Sequence, residues 1–166
     1  MAKLVTALFK NSTQAEAAVD ALIKRGYSRD DISIIMSDST KNKQIAIVDG
    51  NKAAEGTGIG SAVGGVVGAT IAAIAAVGTS LALPGLGIVI AGPIAAALAG
   101  AGAGGATGGI IGALVGAGIP EHRATVYDAG IRQGGILVGV EANATESASQ
   151  LEELLANLGG ENVRQE

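Results

Sequence analysis

Leu4-Val5-Thr6-Ala7-Leu8-Phe9 opens a pattern that returns near the other end of the chain at Ile136-Leu137-Val138-Gly139-Val140. Each run reads as a strand, and each is followed by a helical pattern. After the first, Ala15, Ala18, Val19, Leu22 and Ile23 fall on one helical face, and Gly26 suits the C-terminal stop. Thr13, with Glu16 three residues on, makes a capping box. After the second, Ala148, Leu151, Leu154, Leu155 and Leu158 form the apolar stripe, Asn143 with Glu146 supplies a second capping box, and Gly159-Gly160 ends the helix. A further strand closes each unit: Ile32-Ser33-Ile34-Ile35-Met36 after the turn Ser28-Arg29-Asp30-Asp31, and Asn162-Val163-Arg164. The β-α-β plan thus occurs twice. Two such halves commonly close into a four-stranded antiparallel sheet with both helices on one face, the ferredoxin-like arrangement. Neither half has enough core alone, so residues 1–38 and 134–166 are predicted to form one composite α+β domain. Its first and third strands are apolar at nearly every position, where a half-exposed strand would alternate. The face away from the helices therefore needs a cover: residues 120–133, the segment between the halves, or a second subunit. Pro120 suits a helix N1 position, and Ala124, Tyr127 and Ile131 give an apolar face, so 119–133 is predicted as a connecting helix.

Between the halves, residues 56–120 run for 65 positions without one charged side chain and hold 19 of the 27 glycines. Many lie four apart: Gly56, Gly60, Gly64 and Gly68, then Gly92, Gly100, Gly104, Gly108, Gly112 and Gly116. That spacing places glycine on one slowly drifting stripe of a helix, where a second backbone can approach closely. Breakers fall at Gly78-Thr79-Ser80, Leu83-Pro84-Gly85-Leu86-Gly87 and Gly92-Pro93. The prediction is a long Gly/Ala-rich helical-hairpin insertion over 53–118, a glycine zipper with those ten glycines as helix-packing positions. Residues 39–52 precede it as a linker around a short strand, Ile45-Ala46-Ile47-Val48.

Two helices of roughly 25 residues would each reach about 38 Å, enough to span a bilayer's hydrocarbon. Hydrophobicity is marginal, however. Ile59, Val63, Val66, Val67, Ile71, Ile74 and Val77 together supply roughly −3 kcal/mol towards insertion, and no Trp or Tyr borders the run. Water is no better a solvent, since each glycine inside an exposed helix costs about 1 kcal/mol relative to alanine. The helices need tight partners in either medium. The apolar stretch Leu81–Ile90, read as the hairpin tip, is also one a soluble monomer would rarely expose. The leading expectation is a membrane-inserted hairpin. A soluble shell, particle or filament with hairpins packed inside is the alternative, and a regulatory or apolar-ligand-binding ferredoxin-like module the third.

Charge and residue chemistry narrow the function classes. Residues 1–55 carry 8 Lys/Arg and 7 Asp/Glu, and residues 121–166 carry 3 and 8, for a net charge of −4. No basic cluster is present to neutralise phosphates, so no nucleic-acid partner is expected. With no cysteine and one histidine, His122, the usual zinc sites cannot be built. Gly100-Ala101-Gly102-Ala103-Gly104-Gly105 matches GxGxxG, but it follows no strand of a βαβ unit, and a glycine-rich segment produces such matches by chance. Asp30-Asp31 reads as turn and capping chemistry, and Glu152-Glu153 as a solvated helix face. Thr57, Ser61, Thr70 and Thr107 read as hydroxyls bonded to their own or neighbouring backbones. No nucleophile–base pair stands out. The expectation is a protein that is not an enzyme, with no catalytic, metal or cofactor-binding residues and no cofactor.

The order of these pieces resembles a bacterial family of small stress proteins, described as general stress, heat-induced or low-temperature-induced proteins and often only as a domain of unknown function. The resemblance lies in Leu4–Phe9 with its helix, in Gly26-Tyr27-Ser28-Arg29-Asp30-Asp31-Ile32-Ser33, and in the Gly/Ala segment. It continues through Gly118-Ile119-Pro120-Glu121 and Gln133-Gly134-Gly135-Ile136-Leu137-Val138. It implies a membrane-associated or self-associating stress factor without catalytic residues. The expected partners are further copies of the chain and membrane lipid. The expected location is a bacterial inner membrane with the sheet domain in the cytoplasm, or else a cytoplasmic assembly.

Overall fold

The computed structural model describes residues 3–41, 80–83, 87–95, 104–142 and 147–165. Their elements are β1 (Leu4–Phe9), α1 (Ser12–Lys24), a 3-10 turn (Arg29–Asp31), β2 (Ile32–Ser37), β3 (Ser80–Leu83), β4 (Ile88–Ala91), α2 (Gly104–Gly116), α3 (Glu121–Arg132), β5 (Ile136–Glu141), α4 (Ala148–Asn157) and β6 (Glu161–Gln165). The fold is α+β, built on a six-stranded antiparallel sheet in the order β3-β4-β2-β5-β1-β6. The four strands from the two charged ends stand together in the order β2-β5-β1-β6. β5 lies at the centre, pairing Phe9 with Ile136 on one side and Ile32 with Val140 on the other.

The near-continuous apolar strands are explained by burial on both faces. On one face Val5, Ala7 and Phe9 of β1, Ile34 and Met36 of β2, and Val138 and Val140 of β5 pack with Ala18, Val19 and Leu22 of α1 and Leu151 and Leu155 of α4. On the other, Leu8, Ile35, Leu137 and Ile90 pack with Ile110 and Leu114 of α2 and with Ala124, Tyr127 and Ile131 of α3. Successive strand residues point to opposite sides, so one sheet serves two cores. The cover required on the second face is α3 together with α2, which comes from the uncharged segment. Gly130 lets α3 lie close, because a Cβ there would stand 2.2 Å from Leu8 Cδ2.

The uncharged segment departs from the expected helical hairpin at its tip, whereas α2 is helical. Residues 80–91, read as a breaker and apolar tip, contain β3 and β4, whose register runs from Ser80 opposite Ala91 to Leu83 opposite Ile88. β4 adds to the sheet beside β2, with Ile34 opposite Ala91 and Ser37 opposite Ile88. The physical reason is legible in hindsight. Ile88-Val89-Ile90 is β-branched throughout and bounded by Gly87 and Gly92, a strand pattern, and the edge of β2 offers a ladder for its backbone. α2 bends at Gly109, whose φ of 61° and ψ of −152° lie in a region only glycine occupies readily. Residues 42–79, which include most of the linker and the first half of the expected hairpin, lie outside the described residues, as do 96–103.

Helix starts also differ in detail. α1 is capped by Asn11, whose side chain accepts from the Gln14 amide at 2.9 Å, rather than by Thr13 with Glu16. Capping two residues earlier frees Glu16 to turn inward. α4 is capped by Ser147 with Gln150, the latter accepting from the Ser147 amide at 3.0 Å. The Asn143–Glu146 box expected there lies outside the described residues.

Candidate functional site

Of the ten glycines, Gly92, Gly104, Gly108, Gly112 and Gly116 are among the described residues. Gly56, Gly60, Gly64, Gly68 and Gly100 lie outside the described residues. Gly104, Gly108, Gly112 and Gly116 belong to α2. In the last turns of that helix Ile110, Ala113 and Leu114 are buried, whereas Gly112 is half-buried and Gly116 exposed. The packing face there is the aliphatic one. Gly92 stands on no helix: it follows β4 at φ 88°, and a Cβ would stand 2.2 Å from the Ile32 carbonyl oxygen. It is a crossing point of two backbones. Just beyond it, the Ile94 amide donates to Ser33 Oγ at 3.1 Å, so a fully buried strand serine anchors the chain as it leaves the sheet.

The residues that come together are others. α3 presents Arg123 and Tyr127, one turn apart, to Thr6 on β1 and to the Asn162 carbonyl on β6. Tyr127 is fully buried, and its hydroxyl donates to the Asn162 oxygen at 2.8 Å. Thr6 Oγ1 lies 2.9 Å from the same hydroxyl and donates to it. The Arg123 guanidinium donates to the Tyr127 hydroxyl and reaches Thr6 Oγ1 at 3.5 Å and the Asn162 oxygen at 3.4 Å. It also lies 5.4 Å from the centroid of the Tyr127 ring. Every polar atom of the cluster thus has a partner. It clamps helix to sheet at the β6 side and supplies no activated nucleophile. Tyr127 was legible in the sequence only as part of an apolar face. The missed signal was Thr6, the one hydroxyl in an otherwise apolar strand, which needs a partner when buried.

A second polar feature lies in the other core. Glu16 on α1 is 2% exposed, and its Oε2 has no hydrogen-bond partner among the described residues. Burial pushes its carboxyl up to about 7, and the nearby Asp20 carboxylate adds to the rise. Near neutral pH Glu16 therefore takes up or releases a proton. Asp31 accepts from the Ser28 amide and hydroxyl at 2.8 and 2.7 Å, His122 is exposed, and Asp128 pairs with Arg132 at 2.9 Å. Among the described residues no helix is long and apolar enough to cross a membrane.

Among the described residues the architecture is that of an α+β protein with one antiparallel sheet covered by helices on both faces. Residues 5–84 match the family model of the heat induced stress protein YflT domain, and over that part the chain is similar to a bacterial family of stress-induced proteins. No curated protein and no solved structure matches the chain.

Proposed function

We propose that this protein is a stress-associated, non-enzymatic protein that acts by self-association, on a ferredoxin-like frame enlarged by its uncharged segment. The match of residues 5–84 to the heat-induced stress domain carries the stress assignment. The strand order β2-β5-β1-β6, with α1 and α4 packed on one face, supports the ferredoxin-like frame. β3, β4 and α2 support an assembly in which the uncharged segment adds to the sheet domain rather than standing apart from it as a hairpin. Val115 and Val126, 43% and 45% exposed, leave apolar surface on α2 and α3 for contact with other copies. Light scattering after size exclusion tests the reading: a mass above one chain is expected, and a monomer at every concentration would overturn it.

Attachment to lipid is the second reading. It rests on the sequence of residues 56–79, uncharged and carrying Ile59, Val63, Val66, Val67, Ile71, Ile74 and Val77. Carbonate extraction of cell membranes separates the two: retention with the bilayer supports lipid attachment, and release with the soluble fraction supports assembly without it.

A further inference from the structure

We propose that the outer edge of β3 is an interaction surface, and that its partner is the same strand of a second copy, paired antiparallel about a two-fold axis. The inference deepens the self-association proposed above and rests on it. An antiparallel sheet ends in two edges, each a row of unpaired backbone N–H and C=O groups that can template a further strand, and proteins commonly blunt such edges. The two edges of this sheet differ sharply.

At one end, β6 has the marks of a protected edge. Glu161, Asn162, Arg164 and Gln165 are exposed, and Glu161 is paired with Lys10. Asn162 has a φ of 52°, alone among the described non-glycine residues in being positive, and the β1–β6 register shifts between Thr6 and Leu8. Charge and an irregular ladder both oppose addition of another strand. At the other end, among the described residues, β3 pairs with β4 and has no strand beyond it. Its sequence, Ser80-Leu81-Ala82-Leu83, contains no charge and no proline, and it lies within the uncharged run 56–120. The strand's own sequence thus carries neither of the side-chain defences, charge or proline, that blunt an edge.

The absence of charge also favours a second copy as the occupant. Two neutral strands pair antiparallel with no like charges brought face to face, and a two-fold axis makes the contact self-complementary. The pairing closes on itself, because both β3 edges are then used and the β6 edges that remain are blunted. The alternative, β3 of one copy on β6 of the next, would build an open filament and would place Glu161 and Arg164 against an uncharged strand.

Hydrogen exchange on the full chain, read by mass spectrometry at rising concentration beside light scattering, tests the proposal. The expected mass is twice the 16.1 kDa of one chain, with exchange over residues 80–83 slowing about tenfold or more as the dimer forms and residues 161–165 unchanged. Ala82→Lys and Ala82→Glu chains are each expected to be monomeric, and an equimolar mixture is expected to dimerise again, a rescue that general misfolding would not give. A dimer whose protection falls elsewhere, or one that forms equally with Ala82→Lys, overturns the β3 edge and leaves self-association standing. An open assembly with both edges protected overturns the two-fold closure. A wild-type monomer at all concentrations overturns both. If the Ala82 variants fail to fold, the wild-type exchange pattern alone decides.

Discussion

Glu16 illustrates how one cap changes the meaning of a residue. In sequence it stands three after Thr13 and reads as the acceptor of a capping box. Asn11 caps the helix instead, and Glu16 is buried beside Asp20 with an oxygen that has no partner among the described residues. Its carboxyl is raised from 4.5 to about 7, so the neutral acid is the form the fold favours. The sign follows from linkage: this stabilisation is fully present below about pH 4.5 and is lost as pH rises through 7. The loss is on the order of 3 kcal/mol, from about 1.4 kcal/mol per pKa unit. Urea denaturation between pH 4 and 8 is expected to show stability falling with pH in the wild type, and a flatter profile in Glu16→Gln. Gly92 makes a second residue-scale prediction. A methyl group there would meet the Ile32 carbonyl oxygen at 2.2 Å on a backbone already at φ 88°. Gly92→Ala is expected to destabilise by about 3 kcal/mol or more, read as a lowered urea midpoint.

At the scale of elements, the helical periods of α1, α3 and α4 survived folding because their apolar faces were the faces the sheet needed. Ala124, Tyr127 and Ile131 were legible as a stripe and are buried as one. The polar clamp beside that stripe was not legible, since it joins positions more than a hundred residues apart: Thr6 meets Tyr127 only once β1 lies under α3. Removing the hydroxyl tests what the clamp contributes. Tyr127→Phe leaves buried Thr6 and the Asn162 carbonyl without it, and should cost about 1–3 kcal/mol. In a double-mutant cycle with Thr6→Val the two losses should be less than additive, because both variants break the same bond. β3 and β4 were misread for the opposite reason. An apolar run between breakers has the same composition whether it turns between helices or pairs in a sheet, and only the presence of the β2 edge decides.

For the molecule as a whole, the decisive arrangement is one sheet shared between two cores. Leu155 lies in the α1–α4 core and Leu114 in the α2–α3 core, both fully buried. Replacing either with alanine should cost about 2–5 kcal/mol. Because β1, β2 and β5 contribute side chains to both cores, each variant is expected to lower the same single thermal transition seen by calorimetry. Two separable transitions would show that the second layer folds independently.

The sequence by itself determined the two β-α-β halves, the apolar strands that require burial on both sides, and a connecting helix over 119–133 as one of three candidates for that cover. These follow from local periodicity and from the arithmetic of apolar surface, which hold before any long-range contact forms. It also carried the likeness to stress proteins, since motif order survives without coordinates. The tertiary structure alone decided that residues 80–83 and 88–91 extend the sheet, that Gly92 marks a backbone crossing, and that aliphatic residues face the sheet from the end of α2. A glycine has no side chain to declare its partner, and a strand's hydrogen bonds lie outside its own segment. In an uncharged, glycine-rich stretch, what each residue does is therefore set by the neighbour that the fold delivers to it.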